Sequence, residues 1–370
     1  MRNWKIGRLA VLLLSLFFLT ACGSTLVSGH ADSPKEATAS FKMSGGSQEE
    51  AKLPSYLTVH FIDVGQGDAA LLTCDGEAML IDAGDNTKGT AVQLYLSKQG
   101  VTSLKYLVLT HPDADHIGGA DVIVSKLDIE NVLMSPYRKD SRTYEELEQA
   151  LDYRGYQWSV PNVGDTYALG TAAFQILGPN KAYSDPNNAS LGLLVTYGRT
   201  KFLFTGDAEE EAEADMLDNG ISPACDVYKA GHHGSRTSNS KALLEAARPT
   251  YVVVSCGEDN SYGHPHAEPM NSFRSMGVKL FRTDEQGTVV AESNGTDIIW
   301  NFAPTESWKV GEGTAASEAA AYVCNTNTGK FHYPDCGSVE EMGESNKKAV
   351  NAAREELISQ GYVPCKICSP

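Results

Sequence analysis

The chain has 370 residues, 42% of them hydrophobic and 21% charged, an ordinary globular composition with room for one large domain and a small one. Its 30 Lys and Arg against 47 Asp and Glu leave a net charge of −17. That balance argues against a protein that coats nucleic acid or anionic membrane through a basic surface, though not against an enzyme that grips phosphates through metal ions. Eight cysteines, unevenly placed, are too few for a disulfide scaffold.

Arg2, Lys5 and Arg8 precede an apolar run from Leu9 to Leu19, too short to span a bilayer comfortably and followed by small residues. This is the pattern of an export signal. The run ends Leu19-Thr20-Ala21-Cys22-Gly23, which resembles the bacterial lipobox. The resemblance implies a signal over residues 1–22, cleavage before Cys22, and lipid on its thiol. The remaining chain would then sit on the extracytoplasmic face of the cell membrane. Residues 23–52 are small and polar with no apolar period, so they read as a flexible tether, and His30 within it has no evident role.

From Leu53 the pattern changes. Leu57–Asp63, Ala69–Thr73 and Ala78–Ile81 are short apolar runs separated by Gly- and Asp-rich turns, predicting a β-meander. Thr90–Lys98 predicts a helix stopped at Gly100, and Leu104–Thr110 a strand covered on both faces. Further strands are expected at 172–177, 190–197, 200–205, 226–229, 250–255, 278–282 and 296–302, and helices at 117–126, 143–153, 208–218, 238–247 and 267–276. The acidic run from Glu209 through Glu213 to Asp218 reads as a solvated helix face. The whole stretch 53–302 fits an α/β domain of two packed sheets covered outside by helices.

The segment after the strand at 104–110 carries the chemistry: His111-Pro112-Asp113-Ala114-Asp115-His116-Ile117-Gly118-Gly119. Four potential ligands within six residues, just before a helix, share a direction, so one loop could serve two adjacent metal ions. The plain alternative is that Asp113 or Asp115 caps the helix and the histidines are incidental. This segment resembles the His-x-His-x-Asp-His signature of the metallo-β-lactamase superfamily, with Asp113 at the second His. The form His-x-Asp-x-Asp-His-x-Gly-Gly resembles the hydrolase domain of ComEC-type competence proteins. Matches to that branch continue in order through Phe61–Asp68, Leu80–Gly84, Asn187–Ser190, Thr205-Gly206-Asp207, His232–Ser235, Ser255–Asn260 and Gly263–His266.

The resemblance implies an αββα sandwich with the metals at the sheet edge. It puts His111 and Asp113 on the first metal, Asp115 and His116 on the second, and Asp207 between them. Either His232 or His233 completes the second site. Asp63, Asp68 and Asp82 read as turn and supporting residues. No histidine lies between His116 and His232, where many relatives place a ligand. That disfavours β-lactam or thiolester hydrolysis, and the carboxylate-rich set leans toward Mn²⁺, or Mn²⁺ mixed with Zn²⁺. Two metals about 3.5–4 Å apart suit displacement at phosphorus. The expected reaction is therefore phosphodiester hydrolysis, with Asp115 and Asp207 at the metals and His264 on the phosphate or the leaving oxygen. Ser190, Ser255 and Asn260 are expected to shape the substrate site. His60 and His266 read as structural.

Residues 303–320, rich in Gly, Ala and Ser, read as a second linker. In 321–370, His332-x3-Cys336 and Cys365-x2-Cys368 form a closed Cys3His zinc set, and so short a segment needs such a staple. This part resembles the metal-binding module of the Ada DNA-repair protein, with His332 replacing the first Cys. A helix is expected around 346–359. The alternative for these cysteines is a disulfide, as export permits. Cys74, Cys225 and Cys256 lie in or beside strands and read as buried free thiols. DNA is the substrate that the resemblance favours, and a part in DNA import would need a separate membrane subunit. Two other readings are a phosphoesterase acting on teichoic acid or lipid head groups, and a metal-stabilised surface binding protein without turnover.

Overall fold

The computed structural model describes residues 56–311 and, with short gaps, 322–368. The expected signal, tether and Cys22, and the second half of the second linker, lie outside the described residues. The first sheet opens with β1 (Leu57–Phe61), β2 (Ala70–Cys74) and β3 (Glu77–Ile81), joined antiparallel. It continues in parallel with β4 (Ser103–Leu109), β5 (Asp128–Met134) and the short β6 (Trp158–Ser159). Helix α1 (Gly89–Lys98) links β3 to β4. The turns α2 (Ala114–Ile117) and α3 (Ala120–Lys126) follow β4, and α4 (Arg142–Arg154) follows β5. Ser141 caps α4 by accepting the Tyr144 N–H, and Gly155 ends it in the left-handed region.

The second sheet holds β7 (Thr166–Leu169), β8 (Ala172–Gly178), β9 (Gly192–Tyr197), β10 (Thr200–Phe204), β11 (Val227–Lys229), β12 (Tyr251–Val254) and β13 (Lys279–Arg282). Strands β10 to β13 are parallel neighbours. Helices α5 (Glu210–Asp218), α6 (Lys241–Ala247) and α7 (Ala267–Met276) connect them, and the turn α8 (Thr283–Gln286) follows β13. The chain then returns to the first sheet as β14 (Val289–Ser293), paired with β1, and β15 (Ile298–Trp300).

Alternation along the strands builds the layers. In β4, Tyr106 and Val108 enter the core between the sheets, where they join Phe174, Val195 and Phe202, while Leu107 and Leu109 face α1, α3 and α4. That two-sided burial explains why the run is apolar throughout. The outer face of the second sheet is covered by α5, α6 and α7 through Ala212, Leu243, Leu244 and Phe273. The result is the αββα sandwich of the metallo-β-lactamase fold. Strands β5, β6, β7 and β14 lie outside the expected strands. One helix face departs from expectation as well. Glu213 of the acidic run is fully buried on α5, where its carboxylate accepts the Asn239 and Ser240 N–H groups at 2.6 and 2.7 Å.

The C-terminal segment forms its own sheet from β16 (Tyr322–Asn325), β17 (Lys330–His332), β18 (Lys347–Val350) and β19 (Val363–Pro364), with a helical turn α9 (Gly337–Glu340) between β17 and β18. The helix expected at 346–359 gives way over 347–350 to strand β18, antiparallel to β16. Pairing there satisfies the second edge of β16, which a helix would leave bare. The described cysteines are all free thiols.

Candidate metal centre

Two sets of parallel strands end at one place. The carboxyl ends of β3 and β4 deliver Asp82 and the 111–116 loop, and those of β10, β11 and β12 deliver Asp207, the 231–235 turn and Ser255. Open α/β sheets place their sites at such ends.

His116 and His233 are buried, with their Nε2 atoms 3.3 Å apart. On its other side, the His116 Nδ1–H meets Asp82 Oδ2 at 2.8 Å, and the His233 Nδ1–H donates to the Ser255 carbonyl at 3.0 Å. Asp82 is itself fixed by the Thr110 N–H and hydroxyl, at 2.8 and 2.7 Å. With both Nδ1 atoms committed as donors, the neutral rings present Nε2 lone pairs to each other. Carboxylates crowd the same point. Asp207 Oδ1 is 3.2 Å from His116 Nε2, and Asp115 Oδ2 is 3.3 Å from His233 Nε2. Facing lone pairs ringed by carboxylates repel unless a cation lies among them. In the protein alone that cation is a proton. Burial disfavours charge on His116 and His233, but Asp207 outweighs it, aided by Asp82 at His116 and Asp68 at His233, so both rings are pushed well above the ordinary histidine range.

His111 Nε2 stands 3.9 Å from Asp207 Oδ2. This nitrogen is buried without a hydrogen-bond partner among the described residues, a costly arrangement unless a ligand completes it. The donor set of imidazoles and carboxylates suits a divalent metal. Ligand atoms of His111, His116 and Asp207 lie within 4.8 Å of one another, as do those of Asp68, His116 and His233.

The structure separates the two adjacent histidines. His233 is at the centre of the cluster. His232 is partly exposed, with Nε2 3.6 Å from Asp207 Oδ2 and Nδ1 3.3 Å from the Thr237 hydroxyl. Both are left-handed, at φ 50° and 55°, a strained pair of residues that costs roughly 1–3 kcal/mol each. Asn239 holds the turn. Its amide donates to the Gly231 and Ser235 carbonyls and accepts the Gly231 N–H.

Several expected roles move. Asp113 occupies the cap position of α2 but makes no cap hydrogen bond, and its carboxylate meets Lys139 Nζ at 2.8 Å. Ser190 is fully buried and its hydroxyl accepts the Asp207 N–H at 3.1 Å, so it holds a cluster residue rather than lining a substrate site. Ser255 serves through its carbonyl, as described. Asn260 is buried, with its amide given to the Gly257 and His264 carbonyls and its oxygen to the His264 N–H. It staples the loop that carries His264.

His264 itself is well defined. The Gly257 N–H donates to Gln66 Oε1 at 3.2 Å, which turns the Gln66 amide nitrogen toward His264 Nδ1 at 3.3 Å. The ring proton is therefore on Nε2. Burial, with His233 and His232 nearby, pushes His264 down to about 2, so the ring is neutral at physiological pH.

Beneath the cluster is a charge pair that the motif reading passed over. Lys229 Nζ, on the last residue of β11, is 2.5 Å from Asp68 Oδ2, and Asp68 Oδ1 is 3.3 Å from His233 Nδ1. Lys229 is 3% exposed. A lysine closing a fully buried strand was the available signal.

A model of the metallo-beta-lactamase superfamily matches residues 62–258. The chain belongs to this superfamily. It is 28% identical to ComE operon protein 3 of Bacillus subtilis over 252 residues, which are 62% of this chain and 32% of that protein. It is 33% identical to Recombination protein 2 of Haemophilus influenzae over 238 residues, 62% of this chain and 28% of that protein. Competence protein ComA of Neisseria gonorrhoeae is 32% identical over 230 residues, 61% of this chain and 31% of that protein. The chain thus spans about a third of the length of these curated relatives. The fold of this superfamily binds divalent metals, and the buried His and Asp groups of this chain are ligand types for them.

In the C-terminal sheet, ligand atoms of His332, Cys336, Cys365 and Cys368 also lie within 4.8 Å of one another. Among the described residues, His332 Nδ1 is buried without a hydrogen-bond partner.

Proposed function

We propose that this chain is a dinuclear metal-dependent phosphodiesterase acting on DNA. The observation that carries the reading is the convergence of His111, Asp115, His116, Asp207 and His233, with imidazole nitrogens and carboxylate oxygens facing one point. Asp207 would be shared between the two metal positions, and Asp115, His116 and His233 would hold the second. His111 would hold the first, and His232 Nε2 faces the same Asp207 oxygen, Oδ2, at 3.6 Å. Bound Mn²⁺ or Zn²⁺ would supply an activated water and neutralise charge on the phosphorus oxygens.

The chain's own groups do the rest. Asp82 and Ser255 orient the two imidazoles, a support that ligating histidines normally need. His264, neutral and protonated on Nε2, donates a hydrogen bond to a phosphoryl oxygen. Its suppressed basicity speaks for that role over proton transfer to the leaving group. DNA is supported by the names of the relatives, a recombination protein and a competence protein. The lipobox-like segment at Cys22 supports a lipid-anchored, extracytoplasmic place, and a Cys22→Ser protein is expected to leave the membrane fraction. The Cys3His set is proposed to hold one structural Zn²⁺.

The test is hydrolysis of single-stranded DNA, duplex DNA, bis-p-nitrophenyl phosphate and phosphorylcholine esters by the full chain with Mn²⁺ or Zn²⁺. An Asp207→Ala protein should lose bound metal and turnover together. Cleavage of the choline esters alone would move the substrate to lipid or wall polymers. No diester cleavage with either metal would point to a binding protein.

A further inference from the structure

Beside the metal loops lies an open cleft of about 560 Å³, within the size range of a small-ligand site. Tyr137, Val160, Pro161 and Tyr183 give it flat apolar walls, and Arg138 and Lys181 stand as cations at its lining. Both cations are held in place. Arg138 lies over the Trp158 ring at 5.5 Å and pairs with Glu148, while Lys181 lies over the Tyr183 ring at 5.2 Å and pairs with Glu211 and Asp215. They keep 65% and 48% of their side chains exposed, so each can still meet an anion.

Both walls run into the metal centre. Lys139, next to Arg138, is the residue paired with Asp113. Ala189 lines the cleft, and the following Ser190 holds the Asp207 N–H. The Ser135 hydroxyl donates to the Ala189 carbonyl at 2.8 Å and ties the two walls together.

We infer that this cleft is a nucleobase subsite that makes the enzyme selective for single-stranded nucleic acid. The inference rests on the phosphodiesterase reading. With the scissile phosphate at the metals, the adjoining base enters the cleft against a tyrosine face and a flanking phosphate meets Arg138 or Lys181. Aromatic faces with cations between them are the usual platform for unpaired bases. A paired base inside a duplex cannot leave its stack without cost, so duplex DNA is excluded. Glycerol-phosphate polymers and choline head groups have no flat ring to fill the walls.

The test uses the full chain loaded with Mn²⁺ and two variants, Val160→Glu and Tyr183→Ala. Val160 is 42% exposed, so an acid there alters the cleft without disturbing the core. KM for a single-stranded oligonucleotide should rise by about tenfold or more in both, the loss expected for one stacked base. KM for an abasic oligonucleotide of the same length should stay unchanged, while bis-p-nitrophenyl phosphate, a small diester whose own rings can enter the cleft, serves only to report that the metal centre works. Quenching of a 2-aminopurine base on binding should disappear with the same variants. An unchanged KM, or equal losses on both oligonucleotides, overturns the subsite. If the parent protein hydrolyses the small diester but neither binds nor cleaves the oligonucleotide, the subsite fails while the phosphodiesterase reading stands. If it cleaves no diester, both fall.

Discussion

Carboxylates crowd the metal centre. Asp68, Asp82, Asp115 and Asp207 all stand within reach of the two buried imidazoles, and a protein interior tolerates such density only with compensating cations. Lys229 is one that the protein supplies permanently. Burial alone would raise the Asp68 carboxyl, but Lys229 and then His233 outweigh it and hold it at about 2. Because the folded value is depressed, the associated stability, about 2 kcal/mol, is fully present above the unfolded value of 3.8 and is lost as pH falls toward about 2. A Lys229→Met protein should lose roughly 3–5 kcal/mol, since the carboxylate stays buried without its partner. Its acid-unfolding midpoint, followed by circular dichroism, should move up toward pH 4. An unshifted midpoint would show that Asp68 does not depend on Lys229. No short motif announces this pair. The two residues are far apart in the chain and meet only because β11 ends beneath the turn that follows Gly67.

At the level of elements, the site depends on turns that strand ends hold under strain. Gly67 approaches the metal loop so closely that a Cβ there would lie 2.4 Å from the Asp115 carbonyl, and it adopts φ +134°. The 231–235 turn carries two successive left-handed histidines and relies on Asn239, which Glu213 anchors to α5. Asn239 is itself left-handed at φ 66°, so Asn239→Gly keeps the backbone permissible while removing three hydrogen bonds. That protein should be destabilised by about 1–3 kcal/mol in urea titration. It should also bind the hydrolase metals at least about tenfold more weakly by competition with a chelator, because His233 is no longer held in place. Retained affinity would mean that the neighbouring strands fix the turn unaided. The fold of these elements was largely legible. β8 to β13, α4 and α7 fall where the apolar periods put them, because amphipathic patterning is local. The buried Glu213 was not, since an acidic residue on an acidic face looks solvated until the segment packed over it is known.

Across the whole molecule, the two parts that gather metal-ligand side chains differ in how much core they have. The hydrolase domain has an extensive core between its sheets and two more beneath its helices. The C-terminal sheet has two small clusters, one of them built around Cys336 and Cys365 themselves. Folding there should therefore be coupled to zinc. A Cys365→Ser protein should contain one zinc fewer per chain and lose its C-terminal segment to limited proteolysis, while the hydrolase domain survives with its metals. Equal zinc content in both proteins would instead favour free thiols or an oxidised pair. Among the described residues no helix is long and apolar enough to cross a membrane.

The sequence by itself determined the layered α/β fold, the His111–His116 loop and the pairing of His332 and Cys336 with Cys365 and Cys368. Each is written in residue types at short, fixed spacings. Only the tertiary structure decided that His233 rather than His232 sits at the centre. It also gave Asp113 to Lys139, set Ser190 and Asn260 to holding loops, and placed Lys229 beneath Asp68. The His233 and Lys229 outcomes depend on which strand ends meet across two sheets, and spacing along one chain carries no information about a neighbour that arrives from more than a hundred residues away. The other contacts are closer in the chain and depend on how the loops that carry them fold over the site.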